Sequence, residues 1–251
     1  MLRYPEASGW LAKMARCFGV PQHDSSALLW CLVALLFTVL SLSPARADSP
    51  ATQPAAQQLF DGKSLDKWKP TKFGGEGEVH VDDGCLVIES GVTLSGANYT
   101  GKTPTMNYEV ELDAKKIDGS DFFCGLTVPV GDSFASLIIG GWGGTLCGIS
   151  SLDGNDAAGN ETAINLSFKK NQWYHIRFRI LENRLMAWVD KQNIIDVETT
   201  GRAISLRAEV EPSKPFGLST FQTTGAFKSI QLRNLTAKEI EEGKGKPTKK
   251  Q

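Results

Sequence analysis

Apolar and polar residues alternate along most of this chain, with the period of two that is typical of β-strands. In the segment 108–114, Tyr108, Val110, Leu112 and Ala114 alternate with polar and acidic residues. Successive side chains of a strand point to opposite sides, so this segment is predicted to bury one face and expose the other to water.

The segment 173–197 carries the clearest version of this pattern. Its first part places Tyr174, Ile176, Phe178 and Ile180 on one side and Trp173, His175, Arg177 and Arg179 on the other. Polar turns at 182–183 and 190–193 separate it from two further apolar runs, at 185–189 and 194–197. We therefore predict an antiparallel meander of three strands.

Short apolar runs of the same kind recur elsewhere, broken by Gly, Asp, Asn and Pro. They include 122–128, 134–139, 216–221 and 227–235, and the longest helix that the pattern suggests is 236–242. About a dozen strands with closely spaced turns predict an all-β sandwich, a jelly roll of two antiparallel sheets.

An apolar run at 27–43 is followed by the small-residue motif Ala45-Arg46-Ala47, which is typical of a secretory signal peptide. We predict a signal peptide over 1–47, with Met14 as an alternative start. The run is at the lower limit of a membrane span, so an uncleaved anchor is the alternative. The protein is therefore expected to be exported, either periplasmic or secreted.

The rest of the chain divides by composition. Residues 48–58 are predicted to be a linker, 59–236 the β-sandwich domain, and 237–251 a charged flexible tail. After signal cleavage no remaining stretch is apolar enough to span a membrane. The formal net charge of the whole chain is −1, with no basic cluster, which argues against nucleic acid as a partner.

Three cysteines follow the predicted signal peptide, at Cys85, Cys124 and Cys147. All three lie in apolar or glycine-rich contexts. Three buried thiols, or one disulfide and one free thiol, are both compatible with the sequence. No Cys/His spacing indicates zinc.

The glycine-rich segment 137–161 is the strongest candidate for a functional site. Trp142 lies between Gly141 and Gly143, and glycines allow sharp turns and a close approach of ligand. The indole could stack on a sugar ring or fill a gap at a strand end. Asp153, Asn155 and Asp156 supply oxygens that suit calcium, although their spacing does not fit an EF-hand.

Other residues carry alternatives of the same kind. The oxygens of 153–156 could equally belong to a polar turn. Glu161 could be a general acid or base, or a surface carboxylate. His175, Arg177 and Arg179 share a strand face with Trp173, which is either a polar groove for a hydroxyl-rich or anionic ligand or an ordinary solvent face.

Several motifs resemble a known family. They are Leu59-Phe60-Asp61-Gly62 through Trp68, the acidic glycine turn within 79–86, Tyr108-Glu109-Val110-Glu111-Leu112, Asn171-Gln172-Trp173-Tyr174-His175-Ile176-Arg177, and the closing segment 227–235. Together they resemble the 3-keto-disaccharide hydrolase or 3-keto-glycoside-1,2-lyase (3-keto-2-hydroxy-glucal hydratase) domain family. The resemblance covers 59–236 and implies a concanavalin A-like (laminin G-like) jelly roll.

The middle of the domain departs from the family. An arginine and a Glu-x-Gln pair that are usual in its members are missing from 121–128 and 134–139. This pattern indicates a divergent branch with its site rebuilt around the Gly-Trp-Gly-Gly turn.

The resemblance implies removal of the C2 proton beside a C3 ketone, β-elimination of the aglycone, and hydration. Such a site needs a base, an acid and often a divalent metal such as calcium. We assign candidate roles as follows: catalytic, Asp156, Glu161 and His175; substrate-binding, Trp142, Gly141, Gly143, Asn155, Arg177 and Arg179; metal-binding, Asp153 and Asp156. The alternative is a non-catalytic glycan-binding or adhesion module; in both cases the expected partner is a carbohydrate.

Overall fold

The alternating segments of the sequence pair into two antiparallel sheets. The structure, a computed structural model, describes residues 54–245. Its strands are β1 (Gln57–Gln58), β2 (Trp68–Pro70), β3 (Val79–Asp82), β4 (Cys85–Ile88), β5 (Leu94–Tyr99), β6 (Tyr108–Gly119), β7 (Cys124–Val130), β8 (Ser133–Gly141), β9 (Leu146–Ser150), β10 (Ile164–Asn165), β11 (Trp173–Leu181), β12 (Arg184–Val189), β13 (Gln192–Glu198), β14 (Gly217–Phe221) and β15 (Thr223–Asn234). A 3₁₀ helix spans Ala208–Ser213 and the α-helix α1 spans Ala237–Gly243.

The strands form an eight-stranded and a seven-stranded sheet. The eight-stranded sheet has the order β13-β12-β11-β6-β15-β4-β3, with β1 paired to β15. The seven-stranded sheet has the order β10-β9-β8-β7-β14-β5-β2. The predicted meander 173–197 is β11-β12-β13, and the prediction of two antiparallel sheets is confirmed.

The core lies between the inner faces of the two sheets. Tyr174, Ile176, Phe178 and Ile180 of β11 all point into it, as their alternation predicts. They share one buried cluster with Leu137 and Ile139 of the opposite sheet. The alternate residues of β11 therefore lie on the outer face of the eight-stranded sheet.

The opening motif of the family resemblance also serves the core. Leu59, Phe60 and Trp68 are buried, and the Trp68 indole Nε1 donates to the Leu59 carbonyl at 2.9 Å. The ring of Trp68 lies 5.4 Å from that of Tyr99, centroid to centroid. The motif thus anchors the first segment of the domain to the core.

The ends of the domain differ from the expected boundaries. The predicted signal peptide 1–47 lies outside the described residues. Gln57 and Gln58, expected in the linker, pair with β15. Residues 237–243, expected in a flexible tail, form helix α1, in which Thr236 and Glu239 cap each other reciprocally. Within residues 54–245, no helix is both long and apolar enough to cross a membrane.

The cysteines of the described part are free and buried, which is the first of the two alternatives above. Burial raises the pKa of the Cys147 thiol to about 11, and it raises that of Cys124 further. These thiols therefore act as small apolar side chains in the core.

Candidate functional site

A cleft opens on the outer face of the seven-stranded sheet, with a volume of about 250 Å³. Small residues on this face make room for it. A Cβ atom at Gly125 would lie 2.5 Å from Ser219 Oγ and 3.0 Å from Phe122 Cε2, so the glycine lets the Phe122 ring pack down onto the sheet. The lining is Leu94, Asp121, Phe122, Ser136, Ile138, Trp142, Ser150, Arg207, Glu209, Val210 and Phe221. An apolar lining with a few polar groups is the usual character of a small-ligand site.

Trp142 stands at the rim, on the turn between β8 and β9. It has a φ of 47°, and its side chain is exposed although the residue is large. A bulky residue in the left-handed region is strained, and such strain is concentrated at functional sites. The turn is fixed by Gly143 N, which donates to Asp121 Oδ2 at 3.1 Å. The indole is therefore presented to the cleft by a constrained turn.

Asp121 itself is fully engaged in holding this loop. Its Oδ1 accepts from the Phe122 backbone N–H at 2.8 Å, while its Oδ2 accepts from Gly143. The carboxylate thus ties the segment before β7 to the Trp142 turn. This makes Asp121 a positioning residue.

Arg207 and Glu209 come from the start of the 3₁₀ helix. Arg207 Nε donates to Glu209 Oε1 at 2.5 Å, and Arg207 Nη1 donates to Asp156 Oδ2 at 2.8 Å. Backbone bonds between Ser151 and Ser205 hold this segment against the end of β9. A guanidinium and an exposed carboxylate consequently face the same cleft as Trp142.

Three adjacent strands carry a row of hydroxyls on the outer face of the seven-stranded sheet, and two of them line the cleft. Thr127 of β7, Ser136 of β8 and Ser150 of β9 stand opposite one another in the ladder. Thr127 Oγ1 and Ser136 Oγ lie 2.7 Å apart. Ser150 Oγ is buried and has no hydrogen-bond partner among residues 54–245.

The structure places only some of the predicted residues at this cleft. Trp142, Gly141 and Gly143 belong to the turn at its rim. Asp156 reaches it indirectly through Arg207, but its Oδ1 accepts the backbone N–H groups of Ala158 and Gly159 at 3.0 Å. It is therefore foremost a turn residue.

Asn155 likewise belongs to a turn. Its backbone N–H donates to the Leu152 carbonyl at 2.9 Å, and its carbonyl accepts from Leu152 N at 3.0 Å. Its Nδ2 donates to Asp153 O at 3.4 Å, so the amide is also used within the segment. The polar-turn interpretation of 153–156 describes this geometry.

Asp153 and Glu161, predicted as a metal ligand and a catalytic residue, form a separate ion cluster around Arg202. Arg202 Nη1 donates to Glu161 Oε1 and its Nε to Asp153 Oδ2, both at 2.5 Å. The bond from Arg202 lowers the pKa of Glu161, and the Ala203 amide together with Arg202 lowers the pKa of Asp153. Neither carboxylate lines the cleft, and residues 54–245 contain no cluster of three metal-ligating side chains.

His175, Arg177 and Arg179 lie on the outer face of the eight-stranded sheet, across the sandwich from Trp142. His175 Nδ1 is 3.0 Å from Asp113 Oδ1, and the two guanidinium groups lie over the Trp188 ring, 4.0 and 5.5 Å from its centroid. These side chains cannot share a ligand with the cleft. The alternation of β11 was predicted correctly, but its outer face belongs to the other sheet.

Sequence reasoning missed Asp121, Ser136, Ser150, Arg207 and Glu209 as cleft residues. Ser136 and Ser150 follow the strand alternation, which could have placed them on an outer face. Arg207 and Glu209 lie in a segment without strand or helix periodicity, so no local pattern marked them.

Comparisons with known proteins agree with this fold. The family model of the 3-keto-alpha-glucoside-1,2-lyase-like domain matches residues 55–233. Among curated proteins, none matches the sequence significantly.

Solved structures share the architecture at low sequence identity. A Bacillus subtilis protein of unknown function with a galectin-like fold has a TM-score of 0.51 and 10% identity, covering 72% of this chain and 94% of that one. Crh5 transglycosylase in complex with NAG has a TM-score of 0.51 and 11% identity, covering 73% and 86%. The carbohydrate-binding module CBM66 from Bacillus subtilis has a TM-score of 0.46 and 15% identity, covering 67% and 96%. The first two likenesses show a galectin-like jelly roll.

Proposed function

The chain belongs to the family of 3-keto-alpha-glucoside-1,2-lyase-like domains, and we propose that it cleaves 3-keto-glycosides in the cleft beside Trp142. One observation carries the proposal: a strained, exposed indole, a carboxylate and a guanidinium face a single cleft in a chain of that family. The predicted signal peptide supports an exported protein, so we place this activity in the periplasm or outside the cell.

The cleft supplies the groups that such a reaction needs. Trp142 stacks on one face of the sugar ring, which presents apolar C–H groups to the indole. Glu209, which is half exposed at the cleft, is the base that removes the C2 proton. Arg207 holds that carboxylate in place through its Nε.

The reaction follows from the acidity of the C2 proton beside the ketone. Glu209 takes this proton, and the electron pair is first delocalised onto the C3 oxygen. The pair then forms the C1–C2 double bond as the C1–O bond to the aglycone breaks. The carboxylic acid of Glu209 then returns the proton to the aglycone oxygen. Water adds across the C1–C2 double bond, with hydroxyl at C1 and hydrogen at C2, which completes a net hydrolysis.

The test is aglycone release from a panel of 3-keto-glycosides, with and without EDTA. Trp142→Ala and Glu209→Gln are expected to lower kcat/KM by about 10²-fold or more, since each removes a group that contacts substrate. Glu211→Gln is the matched control, because Glu211 lies on the same 3₁₀ helix but pairs with Lys214 outside the cleft lining. No release from any substrate by the folded wild-type protein would refute the proposal.

A non-catalytic glycan-binding module is the second candidate. The observation that favours it is the engagement of Asp121, whose two oxygens accept backbone N–H groups, so that one rim carboxylate is already used in the fold. In that case the wild-type protein would bind glycans without turnover. Trp142→Ala would abolish the binding, whereas Glu209→Gln would leave it within about twofold.

A further inference from the structure

The row of hydroxyls on the outer face of the seven-stranded sheet has no role in the proposed cleavage by Glu209. Thr127, Ser136 and Ser150 lie on neighbouring strands in register, and their residues are 1%, 2% and 2% exposed. Their strand neighbours, such as Leu126 and Leu137, point into the core. Alternation therefore directs all three hydroxyls to the outer face, where Ser136 and Ser150 line the cleft.

One hydroxyl of this row, that of Ser150, has no hydrogen-bond partner within residues 54–245. Thr127 Oγ1 and Ser136 Oγ satisfy each other at 2.7 Å. Ser150 Oγ has no partner within residues 54–245, although buried hydroxyls in native proteins nearly always have one. The apolar residues of the same lining, among them Ile138 and Phe122, offer no hydrogen bond. A ligand that enters the cleft can supply the partner that Ser150 lacks.

The pairing of β8 with β9 brings the hydroxyl of Ser136 close to that of Ser150. Residues directly opposite in an antiparallel pair have Cβ atoms about 4.5–5.5 Å apart, so the hydroxyls of Ser136 and Ser150 can reach one shared oxygen. When Thr127 donates to Ser136, the O–H of Ser136 is free to donate in turn. Two O–H donors can then converge on the cleft.

This arrangement favours an oxygen that only accepts. A carbonyl oxygen has two lone pairs and no hydrogen, so it takes both donors. A sugar hydroxyl has a hydrogen of its own to place as well, whereas a carbonyl oxygen uses both donors and needs no further partner.

We propose that Ser136 and Ser150 bind the C3 keto oxygen of the sugar and stabilise the charge it acquires during the reaction. The catalytic part of this inference rests on the proposed function. As Glu209 takes the C2 proton, the C–H electron pair forms a C2–C3 double bond and the C3 oxygen becomes negative. The two hydroxyls donate to that oxygen until the pair shifts to C1–C2 and expels the aglycone. Thr127 is a positioning residue that orients Ser136.

The experiment compares Ser150→Ala and Ser136→Ala with Ser213→Ala. Ser213 is the matched control because its residue is 1% exposed and its Oγ also has no partner within the described part, yet it does not line the cleft. The readouts are kcat for aglycone release and the Kd values for methyl 3-keto-α-glucoside and methyl α-glucoside. A melting temperature checks that each variant folds.

The wild-type protein is expected to bind the ketone more tightly than the parent glucoside. Ser150→Ala should lose this preference and lower kcat by about 10²-fold, as does the loss of one donor in an oxyanion site. Its melting temperature should be unchanged or higher, since it removes an unpaired buried hydroxyl. Ser213→Ala should match the wild type in kcat and in both Kd values.

The outcomes separate this inference from the proposed function. Turnover by the wild type with unchanged kcat in Ser150→Ala overturns the inference and leaves the function intact. No turnover, with a ketone preference that Ser150→Ala loses, refutes the function and supports the binding assignment. Equal affinity of the wild type for both sugars, or an equal loss of both in Ser150→Ala, overturns the assignment to the keto oxygen.

Discussion

Removing the carboxylate of Glu109 should destabilise the fold strongly. Its side chain is fully buried on the outer face of the eight-stranded sheet. Its Oε2 accepts from Arg179 Nε at 2.7 Å and its Oε1 from Arg233 Nη2 at 2.6 Å, while Arg177 Nε lies 3.7 Å away. Glu109→Ala would leave three guanidinium groups close together, with Glu239 as the carboxylate partner of Arg179 and Arg233.

The magnitude follows from the contacts that are lost. Each of the two short hydrogen bonds joins charged groups, which contribute about 1.5–3 kcal/mol apiece. Breaking a buried ion pair by removing one partner costs about 3–5 kcal/mol, because the other charge stays desolvated. We therefore expect the free energy of unfolding to fall by about 3–5 kcal/mol, or the melting temperature by on the order of 10 °C.

The assay is urea denaturation followed by tryptophan fluorescence, since Trp188 lies under Arg177 and reports on this face. Glu111→Ala is the control. Glu111 is two residues along the same strand face, its side chain is 23% exposed, and it bonds Gln231 at 3.2 Å. Glu111→Ala should lower the free energy of unfolding by less than about 1 kcal/mol. Equal losses in the two variants, or under about 1 kcal/mol for Glu109→Ala, would refute the reasoning; Glu109→Gln serves if the alanine variant does not fold.

Three further predictions concern other parts of the chain. The Arg233 hydrogen bond lowers the pKa of Glu239 from 4.5 to about 2, so its stabilisation is complete above pH about 5 and is lost as the pH falls through 2. Glu239→Gln should therefore cost roughly 1–2 kcal/mol in urea at pH 7 and well under 1 kcal/mol at pH 2, where about half of the native carboxylates are protonated. Trp142→Gly should be up to about 1 kcal/mol more stable to urea than Trp142→Ala, because alanine is strained at a φ of 47°; equal stability would contradict the strain. Burial raises the pKa of Cys124 and Cys147, so peptide mapping should find neither labelled by a thiol reagent in the native protein at pH 8, and labelling of both in urea; native labelling would contradict their burial.

The chain's periodicity was enough to predict its sheets. In β11 the alternation assigned Tyr174 and Phe178 to the core and His175 to the opposite face, and the structure agrees on each. The motif at 59–68 likewise led to the family, whose model matches residues 55–233. Such patterns are local, since a strand's two faces are set by adjacent residues.

Local sequence patterns did not predict which residues line the cleft. The sequence suggested one site for Trp142 and His175, but the two residues belong to different sheets and face away from each other. Arg207 reaches the cleft from a segment about 65 residues after Trp142, through pairing of Ser205 with Ser151. No pattern within the length of one strand predicts that Arg207 and Trp142 lie at the same cleft.

The sequence alone thus determined the β-strands, their buried faces and the family, and it predicted the Trp142 turn as part of a site. Only the tertiary structure decided that Asp153 and Glu161 bind Arg202, that Arg177 and Arg179 surround Glu109, and that Ser150 is left without a partner. The physical reason is that burial follows from the hydrophobic pattern of neighbouring residues. The pairing of charges and hydroxyls depends instead on which strands and loops the chain topology brings together.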